Sequence, residues 1–205
     1  MGLGSYETQL LFQPGARFSY SSYGWNLLGA VIEGAGGQPY LTTMQRAVFD
    51  PAEMRHTVAD HVDSIVPNRA RWYTRGANGG GIVNAGFADN SYKWAGGGFL
   101  STTEDLAEFG DALMRGRLLR PETVKLLWTS QRTTAGSETH YGIGWSVETD
   151  SAGRRRISHG GGSVGGTAFL VIYPDQELVL AVLVNSDSTF VVAAPRIAEW
   201  FLADR

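Results

Sequence analysis

The spacing of apolar residues changes once along this chain, and that change limits the folds open to it. Leu28, Val31, Ile32 and Ala35 fall at i, i+3, i+4 and i+7, the repeat of one helix face. Ser22 is placed to cap that helix and Gly36-Gly37 to end it. A second helical piece is predicted over Leu41 to Val48. Helical spacing returns at Leu106, Phe109, Gly110 and Leu113, behind the capping-box pattern Ser101-Thr-Thr-Glu104, and Gly116 stops it. Pro121 opens another helix with Val124, Leu127 and Trp128 on one face. From Tyr141 the period becomes two.

Tyr141, Ile143, Trp145 and Val147 alternate, the pattern of a half-buried strand. Asp150 to Gly153 turns the chain, and Ile157 leads into a glycine-rich stretch. Ala168 to Tyr173 and Leu178 to Val184 read as two apolar strands joined by the turn Pro174-Asp-Gln. Ile197, Trp200 and Phe201 give a C-terminal helix its buried face, with Pro195 near its start. Segregated helices and strands predict an α+β fold, an antiparallel sheet flanked by helices plus a helical region. One domain over 1–205 is expected, helical and looped to about residue 135, then strands and a final helix.

Residues 50–98 lack a period and are rich in Gly, Asn, Asp and Arg. So long an irregular tract reads as a wall or lid over a site. The 27 glycines cluster at Gly79 to Gly81, Gly96 to Gly98 and Gly160 to Gly162, without a fixed repeat, as tight backbone sites. Hydrophobic residues make up 43% of the 205, enough for a sizeable core. A net charge of −3 points to no nucleic acid or anionic surface, and Arg154-Arg-Arg156 reads as a solvated hairpin edge. Without cysteine there is no disulfide, thiolate catalysis or thiolate metal site. The start, Met1 to Glu7, shows no signal peptide, and no apolar run reaches the ~20 residues that cross a bilayer. A soluble chain is expected.

Two separated segments carry the chemistry, Phe18-Ser-Tyr-Ser-Ser-Tyr-Gly-Trp-Asn-Leu-Leu-Gly29 and Ser158-His-Gly-Gly-Gly-Ser-Val-Gly-Gly166. With Gly97-Gly-Phe-Leu-Ser101 and Tyr141-Gly-Ile-Gly-Trp145, they resemble the serine β-lactamase and penicillin-binding-protein-like family. The resemblance is to its class C-like branch, near which family VIII esterases and mitochondrial serine β-lactamase-like proteins lie. It extends over nearly the whole chain and implies the β-lactamase/transpeptidase-like fold. It also implies hydrolysis of esters, amides or β-lactams through an acyl-enzyme, with no cofactor.

By this resemblance Tyr20 is the general base and acid beside the nucleophile; the reading from residues alone is an aromatic packed before a helix. A free tyrosine has a pKa near 10, so such a base needs a neighbouring cation. Ser22 stands at the asparagine place of Tyr-x-Asn, with one short hydroxyl where an amide would both donate and accept. His159 stands where many members carry lysine. Being mostly neutral near pH 7, it favours esters or peptides over carboxylated β-lactams. Gly160 and Gly161 let a substrate approach the strand closely, and the Gly162 N–H is implied as one half of an oxyanion hole.

No Ser-x-x-Lys occurs in the chain. The family's nucleophile and its lysine are therefore absent, and the chain is expected to lack its N-terminal segment and to be inactive by itself. An N-terminal companion fragment, self-association or rearrangement would then cover apolar surface left open. Two other readings stand beside this one. The chain could be a non-catalytic ligand- or partner-binding relative, or an esterase using Ser163 in Gly161-Gly-Ser163-Val-Gly165. The latter motif needs a strand, a sharp turn and a helix. His56, His61, Asp60 and Asp63 match no metal-site spacing, and no metal is expected.

Overall fold

The computed structural model describes residues 10–77, 80–187 and 193–203. Met1 to Glu7 and Gly79 lie outside them. The helices are α1 (Ser22–Gly36), α2 (Tyr40–Met44), α3 (Trp94–Gly97), α4 (Thr103–Met114), α5 (Pro121–Leu127) and α6 (Ala194–Leu202). The short strands β1 (Val58–Ala59), β2 (Tyr73–Arg75), β3 (Ile82–Asn84) and β4 (Phe99–Leu100) pair as β1–β4 and β2–β3. The main sheet is antiparallel, β5 (Ser146–Thr149), β6 (Arg155–Ser163), β7 (Gly166–Tyr173) and β8 (Leu178–Val184), in that spatial order.

β7 explains why its sequence shows no polar alternation. Its residues Leu170 and Ile172 enter a core with Leu113, Val124, Trp128, Trp145 and Ile157. Val171 and Tyr173 point the other way, to Ala198 and Leu202 of α6. A strand covered on both faces reads as an unbroken apolar run. Each fully buried Ile or Val there contributes about 1.5–3 kcal/mol. Gly110 lets α4 settle on β8, because a Cβ at that position would lie 2.6 Å from Val179 Cγ1. A second cluster, Phe49, Ala52, Met54 and Ala112, joins the other side of α4 to the end of the second helical segment.

Several local expectations shift. The cap of α1 is Ser21, not Ser22: the Ser21 hydroxyl accepts from the Gly24 N–H at 3.1 Å, and Ser22 is the first helical residue. The cap of α4 is Thr102, whose side chain accepts from the Asp105 N–H, one residue later than the Ser101 to Glu104 pattern implies, and the Asp105 carboxylate turns to residues 56 and 57 instead of back to the cap. The second helical segment changes to a π-helical turn over Gln45–Phe49. Tyr141 to Trp145 is a bend, not a strand: Gly144 has φ +81° and the Gly142 N–H donates to the Trp145 carbonyl at 2.7 Å. The glycine-rich stretch is itself strand, the outer half of β6. On α6 the buried face is Ala194, Ala198 and Leu202, while Trp200 and Phe201 are exposed.

The α1 stripe also turns outward. Leu27, Leu28, Val31 and Ile32 are exposed, and the helix buries Gly29 instead. Small residues decide this, since a Cβ on Gly29 would lie 2.9 Å from Ala95 Cβ and one on Gly96 would lie 2.5 Å from Asn26 Oδ1. Nor are the three arginines a solvated run. Arg154 pairs with Asp150 and lies over the Tyr173 ring, Arg155 donates to the Trp128 carbonyl, and Arg156 pairs with Glu148.

The irregular tract is moored at three places. Buried Asp105 accepts from the His56 N–H and the Thr57 hydroxyl, each at 2.7 Å. Buried Asp60 pairs with Arg69 at 2.5 Å and accepts from Asn90 Nδ2. The Tyr73 N–H donates to the Asn185 carbonyl, beyond the end of β8. Asp105→Ala strands the two donors at 56 and 57. We expect a loss of about 3 kcal/mol, read as a lower urea midpoint with unchanged m-value.

Candidate functional site

Tyr20 lies in the extended segment just before α1, and His159 lies on β6 where β5 stops. β5 pairs with β6 only as far as Ser146 opposite Ser158. From His159 to Ser163 the strand is paired on one side alone, with β7. The fold brings Tyr20 and His159 together, with ring centroids 6.1 Å apart. Tyr141 joins them: its ring lies 6.2 Å from Tyr20, edge to face, and 4.9 Å from Phe18. The Tyr141 hydroxyl and His159 Nε2 are 3.1 Å apart, within hydrogen-bond distance.

Reading the sequence missed Tyr141 as part of this group. The signal was the pair of glycines that follows it. A Cβ on Gly142 would lie 2.0 Å from the Leu127 carbonyl oxygen, so the backbone passes where no side chain fits. The Gly144 turn then returns the chain to β5. Tyr141 is also held through its main chain: its carbonyl accepts from the Gln131 N–H at 2.8 Å and from the Thr139 hydroxyl at 3.0 Å.

Burial favours the neutral forms of Tyr141 and His159. Burial pushes the Tyr141 phenol up to about 12, with the nearby Tyr20 adding to the rise. Burial pushes His159 below its usual value, because a half-buried imidazolium loses hydration that nothing charged replaces. Tyr20 and Phe18 are about half exposed, at 48% and 47%, so the group forms a shallow wall open to solvent.

Along β6 the glycines provide access. A Cβ on Gly160 would meet Phe169 across the pair at 3.0 Å, whereas Gly161 and Gly162 have open space where a side chain would stand. Ser22, on the first turn of α1, is exposed. Ser163 sits at the end of β6, and Val164 and Gly165 turn directly into β7. That is a β-hairpin and lacks the helix a nucleophile elbow requires.

Two hollows are lined mostly by other residues. One of about 410 Å³ runs between the π-helical turn and residues 57–67. Another of about 210 Å³, lined by Trp72, Asn90, Phe99 and Ser163, lies at the tip of the β6–β7 hairpin. Of the acidic and imidazole side chains near residue 60, Asp60 pairs with Arg69, His56 with Asp105, and His61 packs on the Trp94 ring at 4.9 Å, while Asp63 is exposed. Among the described residues no group of three or more His, Cys, Asp or Glu could hold a metal, and no helix is long and apolar enough to cross a membrane.

A family model described as Beta-lactamase matches residues 6–204. The chain belongs to the beta-lactamase family. This is a family of serine hydrolases of one fold, and the helices and antiparallel sheet described above are that fold. The chain is 37% identical to the mitochondrial serine beta-lactamase-like protein LACTB of Mus musculus, over 82% of its own length and 34% of the relative's. It is 25% identical to penicillin-binding protein 4* of Bacillus subtilis, over 86% of its length and 41% of the relative's. It thus spans a third to two fifths of these relatives. Among solved structures, an octameric penicillin-binding protein homologue from Pyrococcus abyssi superposes with a TM-score of 0.80 at 23% identity, covering 95% of this chain and 44% of that one. A D-stereospecific amidohydrolase from Streptomyces sp. does so at 0.75 and 27% identity, covering 89% and 56%.

In this beta-lactamase domain the His159 shift has a stability consequence. The unfolded imidazole titrates near 6.5 and the folded one lower, so acid protonates the unfolded chain first. The His159 share of stability is therefore constant above pH 6.5 and is lost as pH falls through and below it. We expect His159→Gln to flatten the decline of the urea midpoint between about pH 7.5 and about pH 5.5.

Proposed function

We propose that this chain carries the proton-handling and oxyanion-binding wall of an acyl-transfer site, and that the attacking hydroxyl comes from a polypeptide segment outside its 205 residues. The observation that carries the reading is the approach of Tyr20 to His159 at the head of an open glycine strand edge. An ester or amide lying along that edge meets Tyr20 at one end and the Gly162 N–H further along. Tyr20 takes the proton from the attacking hydroxyl as the carbonyl carbon is attacked. It then returns that proton to the departing alcohol or amine, and water cleaves the acyl intermediate. The Gly162 N–H and a second donor from the nucleophile's segment stabilise the tetrahedral oxyanion.

The ring neighbours of Tyr20 are Tyr141 and His159, and neither supplies a permanent positive charge. The cation that would make Tyr20 basic near neutral pH must then arrive with the nucleophile, as Ser-x-x-Lys places both on one helix face. The chain by itself is accordingly inactive. The exposed apolar stripe of α1, Leu27, Leu28, Val31 and Ile32, offers the surface on which that segment, or a second copy of the chain, would rest.

The test supplies the chain with a Ser-x-x-Lys-bearing N-terminal segment from a family member. A covalent serine probe and a chromogenic ester report the outcome. Alone, the chain is expected to show neither labelling nor turnover. With the segment, the probe marks the segment's serine, turnover appears, and Tyr20→Phe lowers it by about 10²–10⁴-fold. Labelling of Ser163 in the isolated chain would replace this reading with the hairpin-serine esterase. A ligand-binding protein would bind without turnover in either case. Size-exclusion should show the isolated chain larger than one copy, and the chain eluting with the segment once that is added; an isolated monomer with a cooperative heat transition removes the covering role of α1.

A further inference from the structure

We infer that Tyr141 is a positioning residue: its hydroxyl donates to His159 Nε2, fixes the imidazole as the Nδ1-protonated tautomer, and makes this end of the site a neutral hydrogen-bond donor. The inference rests on the acyl-transfer reading for its consequence, though not for its geometry. The hydroxyl and Nε2 are 3.1 Å apart. Of the two ways to share one proton, the phenol as donor is favoured. A phenol gives up its proton more readily than a neutral imidazole N–H does, and imidazole nitrogen is by several orders of magnitude the stronger base. Burial holds both partners in the forms this bond needs, a protonated phenol and an uncharged ring.

Tyr141 is built to hold that position. Its carbonyl takes two hydrogen bonds, from Gln131 and Thr139. Its N–H donates to the Thr139 hydroxyl at 3.3 Å. The backbone beyond it is fixed by the approach of Gly142 to Leu127 and by the Gly144 turn. Phe18 and Tyr20 pack on its ring. The other side of the imidazole answers to β6 and β7, where His159 faces Leu170 in register. The titratable groups beside the ring are Tyr20 and Tyr141 among the described residues, and neither is a carboxylate that would stabilise an imidazolium protonated on both nitrogens.

The consequence concerns substrate class. An imidazole whose Nε2 is already engaged offers a substrate the Nδ1 N–H, and it has no positive charge near pH 7. Such a donor can bond a neutral carbonyl or ether oxygen, and it withholds from a carboxylate the ion-pair attraction that a cationic donor would add. A lysine at the same place would favour the carboxylate. The site is thereby matched to acyl compounds that are uncharged at this end, neutral esters and amides.

Nitrogen-15 NMR of the imidazole in the isolated chain reads the tautomer directly and requires no turnover. We expect a protonated Nδ1 and a bare Nε2 in His159 near neutral pH. In Tyr141→Phe the ring reverts to the mixture, rich in protonated Nε2, of a free imidazole, while the amide spectrum elsewhere is unchanged. Tyr20→Phe keeps the wild-type tautomer. A wild-type ring protonated on Nε2, or one that Tyr141→Phe leaves unaltered, overturns the assignment. Should Tyr141→Phe unfold the chain, the wild-type ring pattern alone still decides. In the segment-complemented assay, a neutral ester and its carboxylated analogue should differ in kcat/KM by less than about tenfold, and His159→Lys should raise the carboxylated one selectively. Loss of turnover with the tautomer intact sinks the acyl-transfer reading and spares this one; the wrong tautomer with turnover intact does the reverse.

Discussion

β5 pairs with β6 for four residues and then leaves it. Everything at the site follows from that short pairing. Had β5 continued along β6, its backbone would pair with the edge of His159 to Ser163 that now has no strand beside it. The bend at Tyr141 to Trp145 stops it, and that bend depends on two glycines, one pressed against the Leu127 carbonyl and one in a left-handed turn. The same bend sets Tyr141 beside His159. Opening the strand edge and furnishing its head are thus one structural event, so a change at Gly142 would disturb both.

The sheet can tolerate such an unpaired stretch because its stability is vested elsewhere. β7 is buried on both faces, between the α4 core and α6. Alternate residues serve the two layers, Leu170 and Ile172 to one, Val171 and Tyr173 to the other. The outer half of β6 adds few apolar contacts, being glycine. It contributes a straight backbone held to β7 by ladder hydrogen bonds, which is what a surface for an incoming acyl group requires.

The order of helices and strands could be read from the sequence because apolar spacing follows the backbone period, as in Leu106, Phe109, Gly110 and Leu113 or in Leu178 to Val184. Tyr20 and His159 could be nominated only through the resemblance of Phe18 to Gly29 and Ser158 to Gly166 to a known family, since the residues alone read as an aromatic packed before a helix and a histidine in a hairpin. Three kinds of feature escaped. Cap positions moved by one residue, since Ser21 and Ser22, or Ser101 and Thr102, are alike in sequence and only the backbone selects between them. The outward face of α1 escaped because helical spacing tells which residues share a face without telling which face is covered; Gly29 against Ala95 decides that. Tyr141 escaped because its alternation with Ile143 and Trp145 mimics a strand, although the intervening glycines permit a turn.

The moorings of the irregular tract have a consequence for how this fold can vary. Asp105 grips residues 56 and 57, Arg69 grips Asp60, and the end of β8 grips Tyr73. Between these anchors lie residues 61–68 and 80–89, where Ile65, Ile82 and Phe87 are largely bare. Insertions or replacements there would reshape the rim without loosening the posts, so a lineage could retune what it admits while the imidazole keeps its place.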